Sequence, residues 1–299
     1  MSAEDGWPDF LDTELSEAER GEGALFHVLP VPLERTVSYG GGTAEGPRAI
    51  LLASGQLERL CPGGEGGGGG SYDEPCRHGI RTHPAHPCEG LLPEVLAALR
   101  ARARAVAEAG GVPVTLGGEH SLTWGPALGV RDAVGPIGIV QIDAHADLRD
   151  AYEGEPHSHA SVMHLLAREG VPIAQAGVRA LAREELAARA AHGIVAWDGL
   201  ALARGTAAEI ALPEGFPRNL YVSFDVDGLD PSAMPATGTP VPGGLGFEQA
   251  LAIVERLAAG RRVVGLDVVE LAPHPAHPHC DFAAAQLAYR LMAIAARSA

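Results

Sequence analysis

Short apolar runs alternate with segments of helical periodicity along most of this sequence. The predicted strands are 24–31, 112–116, 137–142, 173–178, 194–197, 220–224 and 263–269. The predicted helices are 47–60, 91–109, 121–130, 160–169, 181–191, 246–259 and 282–297. Apolar strands that alternate with helices are typical of a mainly parallel sheet covered on both faces. The pattern therefore predicts an α/β fold, a single three-layer α/β/α domain spanning residues 24–299.

Two segments fall outside this pattern. Residues 1–23 are polar and acidic, and we expect them to form an N-terminal arm, either mobile or wrapped over the surface. Residues 61–71 (CPGGEGGGGGS) are of low complexity, and their glycines predict a flexible loop. The sequence shows no fixed-period repeat, so one domain remains the prediction.

The charge of the chain limits the partners that we expect. Asp and Glu number 38 against 22 basic residues, which gives a formal net charge of −16. An acidic surface argues against nucleic acid and against anionic membranes as partners. Every basic residue is arginine, which excludes chemistry that needs a lysine, such as Schiff-base formation.

The apolar runs and the cysteines bear on location. No run approaches the roughly 20 residues of a membrane-spanning helix, and the acidic N-terminal segment lacks the features of a signal peptide. The four cysteines are scattered, so we expect reduced thiols and no disulfide framework. These features together predict a cytoplasmic protein.

Acidic and imidazole side chains follow three of the predicted strands. Alternate residues of an extended chain point to one side, and sites in open α/β sheets lie at the carboxyl ends of strands. Four carboxylates and two imidazoles are therefore expected to converge at one edge of the sheet. These residues are His120, Asp143, His145, Asp147, Asp225 and Asp227.

Such a cluster needs compensating positive charge, because four neighbouring carboxylates cannot all stay ionised without it. Two divalent cations carry four positive charges, and six ligands suit a pair of ions. Carboxylates mixed with imidazoles favour Mn²⁺ first, with Zn²⁺, Co²⁺ and Fe²⁺ as possible substitutes. Each motif alone is more often a turn or capping cluster; their combination after apolar strands predicts a binuclear metal site.

Four segments resemble the ureohydrolase family of arginase, agmatinase and their relatives. They are GGEHSLT (117–123), DAHADLRD (143–150), SFDVDGLDPSAMPATGTPVPGG (223–244) and GLDVVEL (265–271). The resemblance implies a single α/β/α domain, and it aligns the six residues named above with the binuclear manganese ligands of the family. It also implies a homo-oligomer, either a trimer or a hexamer.

The same resemblance assigns two catalytic roles, and the mechanism that it implies adds a third. Glu270 matches the glutamate that holds the guanidinium group of the substrate. In the implied mechanism, Asp147 can hold the proton of the metal-bridging hydroxide and pass it towards the leaving amine. His159 matches the histidine that shuttles protons, although His157 and His164 lie nearby in the sequence. The implied reaction is attack of hydroxide on the guanidinium carbon, with release of urea and an amine.

The loop 152–158 bears on the choice of substrate. Glu153 and Glu155 would repel a carboxylate and favour an ammonium group at the far end of a small cationic guanidino substrate. We therefore expect hydrolysis of agmatine to putrescine and urea, a step of polyamine biosynthesis. N1-aminopropylagmatine and guanidinobutyrate are alternatives, and arginine is disfavoured.

Two other functions remain open from the sequence. A deacetylase-type amide hydrolase would use a single zinc and fewer carboxylates, and a non-catalytic relative would have lost a ligand or Glu270. Two further His and Cys groups are weaker candidates for metal binding. The first comprises Cys76, His78, His83, His86 and Cys88, and the second comprises His274, His277, His279 and Cys280.

Overall fold

The structure, a computed structural model, describes residues 6–63 and 72–298. A parallel sheet of eight strands forms the centre of the molecule, and a two-stranded antiparallel hairpin, β2–β3, lies apart from it. The strands are β1 (Phe26–Val31), β2 (Cys61–Pro62), β3 (Tyr72–Asp73), β4 (Ile80–Thr82), β5 (Val112–Gly117), β6 (Ile137–Ile142), β7 (Ile173–Ala176), β8 (Val195–Trp197), β9 (Asn219–Asp225) and β10 (Arg262–Val269).

Helices cover both faces of the sheet. Within the described residues they are α1 (Gly46–Ser54), α2 (Leu92–Glu108), α3 (Trp124–Val134), α4 (Val162–Arg168), α5 (Arg183–His192), α6 (Gly199–Ala203), α7 (Phe247–Ala258) and α8 (Pro278–Ser298). Apolar residues of α1, α7 and α8 pack in one core cluster, and those of α3 and α4 pack in another. The prediction of a three-layer α/β/α domain is confirmed.

The hydrophobic pattern explains how these elements form. All six residues of β1, β5 and β6 are buried, as expected for strands that have helices on both sides. In α2, Leu92, Leu96 and Leu99 are buried and recur at the spacing of one helix face. The chain leaves α2 through Gly110, whose φ of 85° suits the left-handed conformation that glycine adopts without strain.

The strand order places four site-bearing strands side by side. The sheet runs β4-β1-β5-β10-β9-β6-β7-β8, so β5, β10, β9 and β6 are consecutive neighbours. In register, Val269 pairs with Asp225 and Phe224 pairs with Ile142. Because all these strands are parallel and nearly level, the residues that follow them meet at one edge of the sheet.

The described part of the predicted N-terminal arm lies against the domain. Phe10 and Leu11 are fully buried, and their backbone N–H groups donate to Thr82 Oγ1 and Ser54 Oγ, at 2.8 and 2.9 Å. These contacts tie the arm to α1 and to the edge strand β4. The boundary between arm and domain at residue 24 stays a prediction.

Several element boundaries differ from the sequence prediction. The helix predicted over 47–60 ends at Ser54, because the chain turns at Gly55. The short elements β4 and α6 and the hairpin β2–β3 were not predicted at all. Most of the predicted glycine loop, 64–71, lies outside the described residues. Among the helices that the structure describes, none is both long and apolar enough to cross a bilayer.

Candidate metal centre

His120 lies at the centre of the first ligand group. It follows β5, and its Nδ1 lies 2.9 Å from Asp147 Oδ2, 3.1 Å from Asp143 Oδ2 and 3.4 Å from Asp225 Oδ2. All four side chains are buried. One imidazole nitrogen and three carboxylate oxygens thus face a common point, as metal ligands do.

His145 organises the second ligand group. Its Nδ1 lies 3.0 Å from Asp227 Oδ2 and 3.7 Å from Asp143 Oδ1. Asp143 therefore belongs to both groups, with one carboxylate oxygen directed to each. A carboxylate shared in this way fits a site for two neighbouring cations. The structure brings together all six residues that the sequence predicted as ligands.

The surroundings of His120 suit an Nδ1 that binds a metal ion better than an Nδ1 that donates a hydrogen bond. Its buried Nδ1 makes no hydrogen bond, although three carboxylate oxygens lie close to it. Its Nε2 lies 2.8 Å from Ser223 Oγ, whose hydroxyl donates to Asp267 Oδ1 at 2.8 Å. Because the serine hydrogen is directed at Asp267, the serine accepts from Nε2–H. The lone pair of Nδ1 is then free for a cation.

Hydrogen bonds also hold the shared carboxylate. Gln141 Nε2 donates to Asp143 Oδ2 at 2.7 Å, and the backbone N–H of His145 donates to Asp143 Oδ1 at 2.6 Å. Gln175 Nε2 in turn donates to Gln141 Oε1, and Arg189 Nε donates to Gln175 Oε1. This buried chain of donors fixes the orientation of Asp143 between the two groups.

The crowding of carboxylates perturbs their titration. Burial and the neighbouring charge of Asp143 raise the pKa of Asp147 to about 7. Burial would lower the pKa of His145, but hydrogen bonding to Asp143 and Asp227 outweighs it and raises the pKa to about 12. Excess negative charge in a buried site attracts cations, and the donor set suits divalent metal ions.

Glu270 and Asp147 share an unusual backbone conformation. Their φ angles are 65° and 54°, in the left-handed region that side chains other than glycine rarely adopt. Such strain costs on the order of 1–3 kcal/mol and clusters at functional sites.

Glu270 Oε1 accepts a 2.6 Å hydrogen bond from the backbone N–H of His120, and burial raises the pKa of Glu270 to about 8.

Of the three candidate histidines, His159 faces the site. It lines a cavity of about 320 Å³ together with His120, Asp147 and Glu270, whereas His157 and His164 do not. Burial lowers the pKa of His159. The cavity position supports the choice that the sequence resemblance made.

The rim of this cavity differs from the sequence expectation. Arg149 and Tyr152 line it, but Glu153 and Glu155 do not. Glu155 instead accepts a 2.8 Å hydrogen bond from the backbone N–H of His157, two residues along the same loop. The expectation that these two glutamates select an ammonium group therefore has no support from the cavity wall and stays a prediction.

Neither of the other His and Cys groups brings three ligand atoms to one point in the described residues. The rings of His274, His277 and His279 are neighbours, with 5.4 and 5.7 Å between successive centroids. His83 pairs with His27, and Cys88 Sγ donates to the carbonyl of His86. Within those residues, the two groups that could hold a metal both belong to the centre described above.

Several residues that support the site were not predicted. Ser223, Asp267 and Gln141 orient ligands, and Glu119 anchors the loop before α1 through Thr36. Asp267 could have been singled out from the sequence, because an acidic residue in an otherwise apolar strand needs a polar partner. The partners themselves could not be identified, since they lie on different strands.

The fold and the ligand set define a metal-dependent hydrolase of the α/β/α class. A family model described as Arginase family matches residues 24–294, and the chain belongs to that family. It is thus a ureohydrolase, a hydrolase of guanidino groups, in a family that depends on two metal ions.

Individual relatives carry related names. An N(1)-aminopropylagmatine ureohydrolase of Thermus thermophilus is 36% identical over 91% of each chain. An agmatinase of Pyrococcus horikoshii is 37% identical over 62% of this chain and 64% of its own. The crystal structure of an agmatine ureohydrolase of Thermoplasma volcanium superposes with a TM-score of 0.77 at 26% identity, covering 95% of this chain and 92% of that one.

Proposed function

We propose that this ureohydrolase acts on a linear guanidino amine, either agmatine or the longer N1-aminopropylagmatine, and releases urea and the free amine. The observation that carries the proposal is the pair of His and Asp groups sharing Asp143, below a cavity that also contains Glu270. Carboxylates gathered at one end of a cavity suit a cationic substrate.

We propose two Mn²⁺ ions per chain, with Zn²⁺, Co²⁺ or Fe²⁺ as substitutes. His120, Asp143, Asp147 and Asp225 would hold one ion, and His145 and Asp227 would hold the other together with Asp143. Ions bound there supply a hydroxide nucleophile at neutral pH and stabilise negative charge.

Glu270 orients the substrate. One of its carboxylate oxygens already accepts from the backbone of His120, which fixes the side chain in the cavity. The other oxygen accepts an N–H of the guanidinium, in a charge-assisted hydrogen bond. This contact holds the guanidinium carbon in position for attack, which lowers the entropic part of the barrier.

Two side chains handle protons. Asp147, whose carboxylate lies beside His120 and Asp143, would take the proton of the attacking nucleophile and pass it to the leaving amine nitrogen, so that urea and a neutral amine separate. His159, on the cavity wall, would then relay a proton between the released amine and solvent.

Two amines remain candidates because each is supported by a different observation. Agmatine follows from the loop glutamates Glu153 and Glu155 of the sequence analysis, and a relative matching 62% of the chain is named agmatinase. A relative matching 91% of the chain is named for N1-aminopropylagmatine. An oligomer, either a trimer or a hexamer, and a cytoplasmic location complete the proposal; the four free cysteines support that location.

A substrate panel tests this proposal. Urea release would be measured with Mn²⁺ on agmatine, N1-aminopropylagmatine, guanidinobutyrate and arginine. We expect kcat/KM for one of the two amines to exceed that for either acid by about tenfold or more, because the acids place a carboxylate in an acidic cavity. Equal or faster hydrolysis of arginine, or no urea from any compound, would contradict the proposal.

A further inference from the structure

We propose that Glu119 and Thr36 are positioning residues that fix the tautomer of His159, so that Nδ1 carries the hydrogen and Nε2 exchanges protons in the cavity. The inference rests on the proposed proton-transfer role of His159. It adds two residues, from the loop after β1 and from the end of β5, to the machinery of the site.

Glu119 is a fully buried carboxylate surrounded by donors. Its Oε2 accepts from the backbone N–H groups of Arg35 and Thr36, at 2.5 and 2.6 Å. Its Oε1 accepts from Thr36 Oγ1 at 2.9 Å and from Ser121 Oγ at 2.5 Å. Four donors satisfy both oxygens, so Glu119 acts only as an acceptor.

The hydroxyl of Thr36 therefore has its direction fixed. A hydroxyl has one hydrogen and two lone pairs, and this hydrogen is donated to Glu119. The oxygen can then only accept from His159. It does so twice: the backbone N–H of His159 lies 3.0 Å away, and the ring Nδ1 lies 3.1 Å away.

The consequence for His159 is a defined tautomer. Since Thr36 only accepts, Nδ1 must carry the hydrogen, and the partner of one ring nitrogen decides the state of the other. Nε2, on the far side of the ring from Thr36, is left with its lone pair. Tyr152 packs edge-on against the ring, with 5.6 Å between centroids, so the ring is held on two sides.

A pair of substitutions at Thr36 tests this role kinetically. Thr36→Val keeps the shape of the side chain and removes the hydroxyl, whereas Thr36→Ser retains it. We expect Thr36→Val to lower kcat by about 10- to 100-fold, less than the roughly 10²- to 10⁴-fold that a complete acid–base group contributes, because His159 itself remains in place. KM and metal content should stay unchanged, and Thr36→Ser should retain most of kcat. Equal losses in both variants, or a loss confined to KM or metal content, would overturn the proposal.

A His159→Asn background tests whether Thr36 acts through His159. If Thr36 acts through His159, Thr36→Val should cause little further loss of kcat in a chain that already lacks the imidazole. A loss of the same factor in both backgrounds would mean that Thr36 acts independently of His159, contrary to the proposal.

A spectroscopic measurement keeps the inference testable even if no substrate is turned over. In ¹⁵N-histidine spectra of the protein loaded with diamagnetic Zn²⁺, His159 is assigned by comparison with His159→Asn. We expect a protonated Nδ1 in the wild type and a shift of the hydrogen to Nε2 in Thr36→Val. A protonated Nε2 in the neutral wild-type ring would refute the tautomer, whereas the substrate panel alone decides the proposed function.

Discussion

The hydroxyl of Ser223 connects a metal ligand to a buried carboxylate. It accepts from His120 Nε2 and donates to Asp267, and Asp267 also accepts from Thr123 Oγ1 at 2.8 Å. Partners of this kind orient a ligating imidazole and increase its basicity. The arrangement makes the affinity of the first metal group depend on residues that touch no metal.

Removing that hydroxyl should weaken metal binding. We expect Ser223→Ala to lower the affinity for Mn²⁺ by about 10-fold or more, because His120 loses the partner that fixes its Nδ1 lone pair. Titration calorimetry measures the affinity directly. Thr206→Ala, which removes an exposed hydroxyl after α6, serves as the control. The same affinity in Ser223→Ala and in the control would contradict the assigned role.

At the scale of residues, the ligands could be predicted from sequence and their partners could not. Alternation after apolar strands was enough to place Asp143, His145 and Asp147 on one side of the chain. Thr36 and Glu119, by contrast, are separated by 83 positions. Nothing in either local pattern specifies a pairing that only the packing of two strands creates.

The end of β5 depends on a close approach that only glycine permits. Gly118 donates to the carbonyl of Val31, and its own carbonyl accepts from the N–H of Glu270. A Cβ at this position would lie 2.0 Å from the carbonyl oxygen of Leu33. The turn that presents His120 therefore requires a residue without a side chain.

A methyl group at this position should disrupt the site. We expect Gly118→Ala to destabilise the fold by about 1–3 kcal/mol, the usual cost of overpacking, and to lower metal affinity as the turn shifts. Urea denaturation measures the first effect and calorimetry the second. Gly23→Ala, where the added Cβ meets no atom within 4 Å, is the matched control. Equal stability of the two variants would show that the backbone relaxes freely.

A histidine pair joins β1 to the chain after β4. His27 Nδ1 and His83 Nε2 lie 2.8 Å apart, and burial lowers the pKa of both, that of His83 to about 4. In the unfolded chain the two histidines take up protons near pH 6.5, whereas the folded pair is still neutral at that pH. Stability contributed by the neutral pair is thus present above about pH 6.5 and is lost as the pH falls towards 4.

Stability measurements at two pH values test this pair. We expect the urea midpoint to fall between about pH 7 and pH 5, and to fall less in His83→Gln, which removes one of the two titrating groups. An identical fall in the wild type and in the variant would mean that other groups cause the acid sensitivity.

At the scale of elements, the long buried strands were predicted well and the short peripheral elements were not. β6 was placed at its observed bounds, since a mostly apolar six-residue run bounded by Gly135-Pro136 and by Asp143 has few alternatives. β4 has three residues and carries Arg81 and Thr82. Its strand conformation comes from pairing with β1, a tertiary contact that overrides local preference.

The whole molecule carries a charge of −16 and concentrates four buried carboxylates in one place. Divalent cations bound there would offset local repulsion and stabilise the folded state by mass action. Chelation with EDTA should therefore lower the melting temperature by several degrees, since about 1 kcal/mol shifts it by roughly 2–4 °C at this size. Adding Mn²⁺ back should restore the melting temperature. A melting temperature that changes with neither EDTA nor Mn²⁺ would contradict stabilisation by bound cations.

The number of metal ions per chain is the most direct test of the binuclear centre. Elemental analysis would be carried out on wild-type protein and on Asp225→Asn, both dialysed after loading with Mn²⁺, with urea release measured on the same samples. We predict two ions per wild-type chain and, in the variant, the loss of at least one ion together with urea release. No stoichiometric metal in the wild type, or full urea release from the variant, would contradict the centre described here.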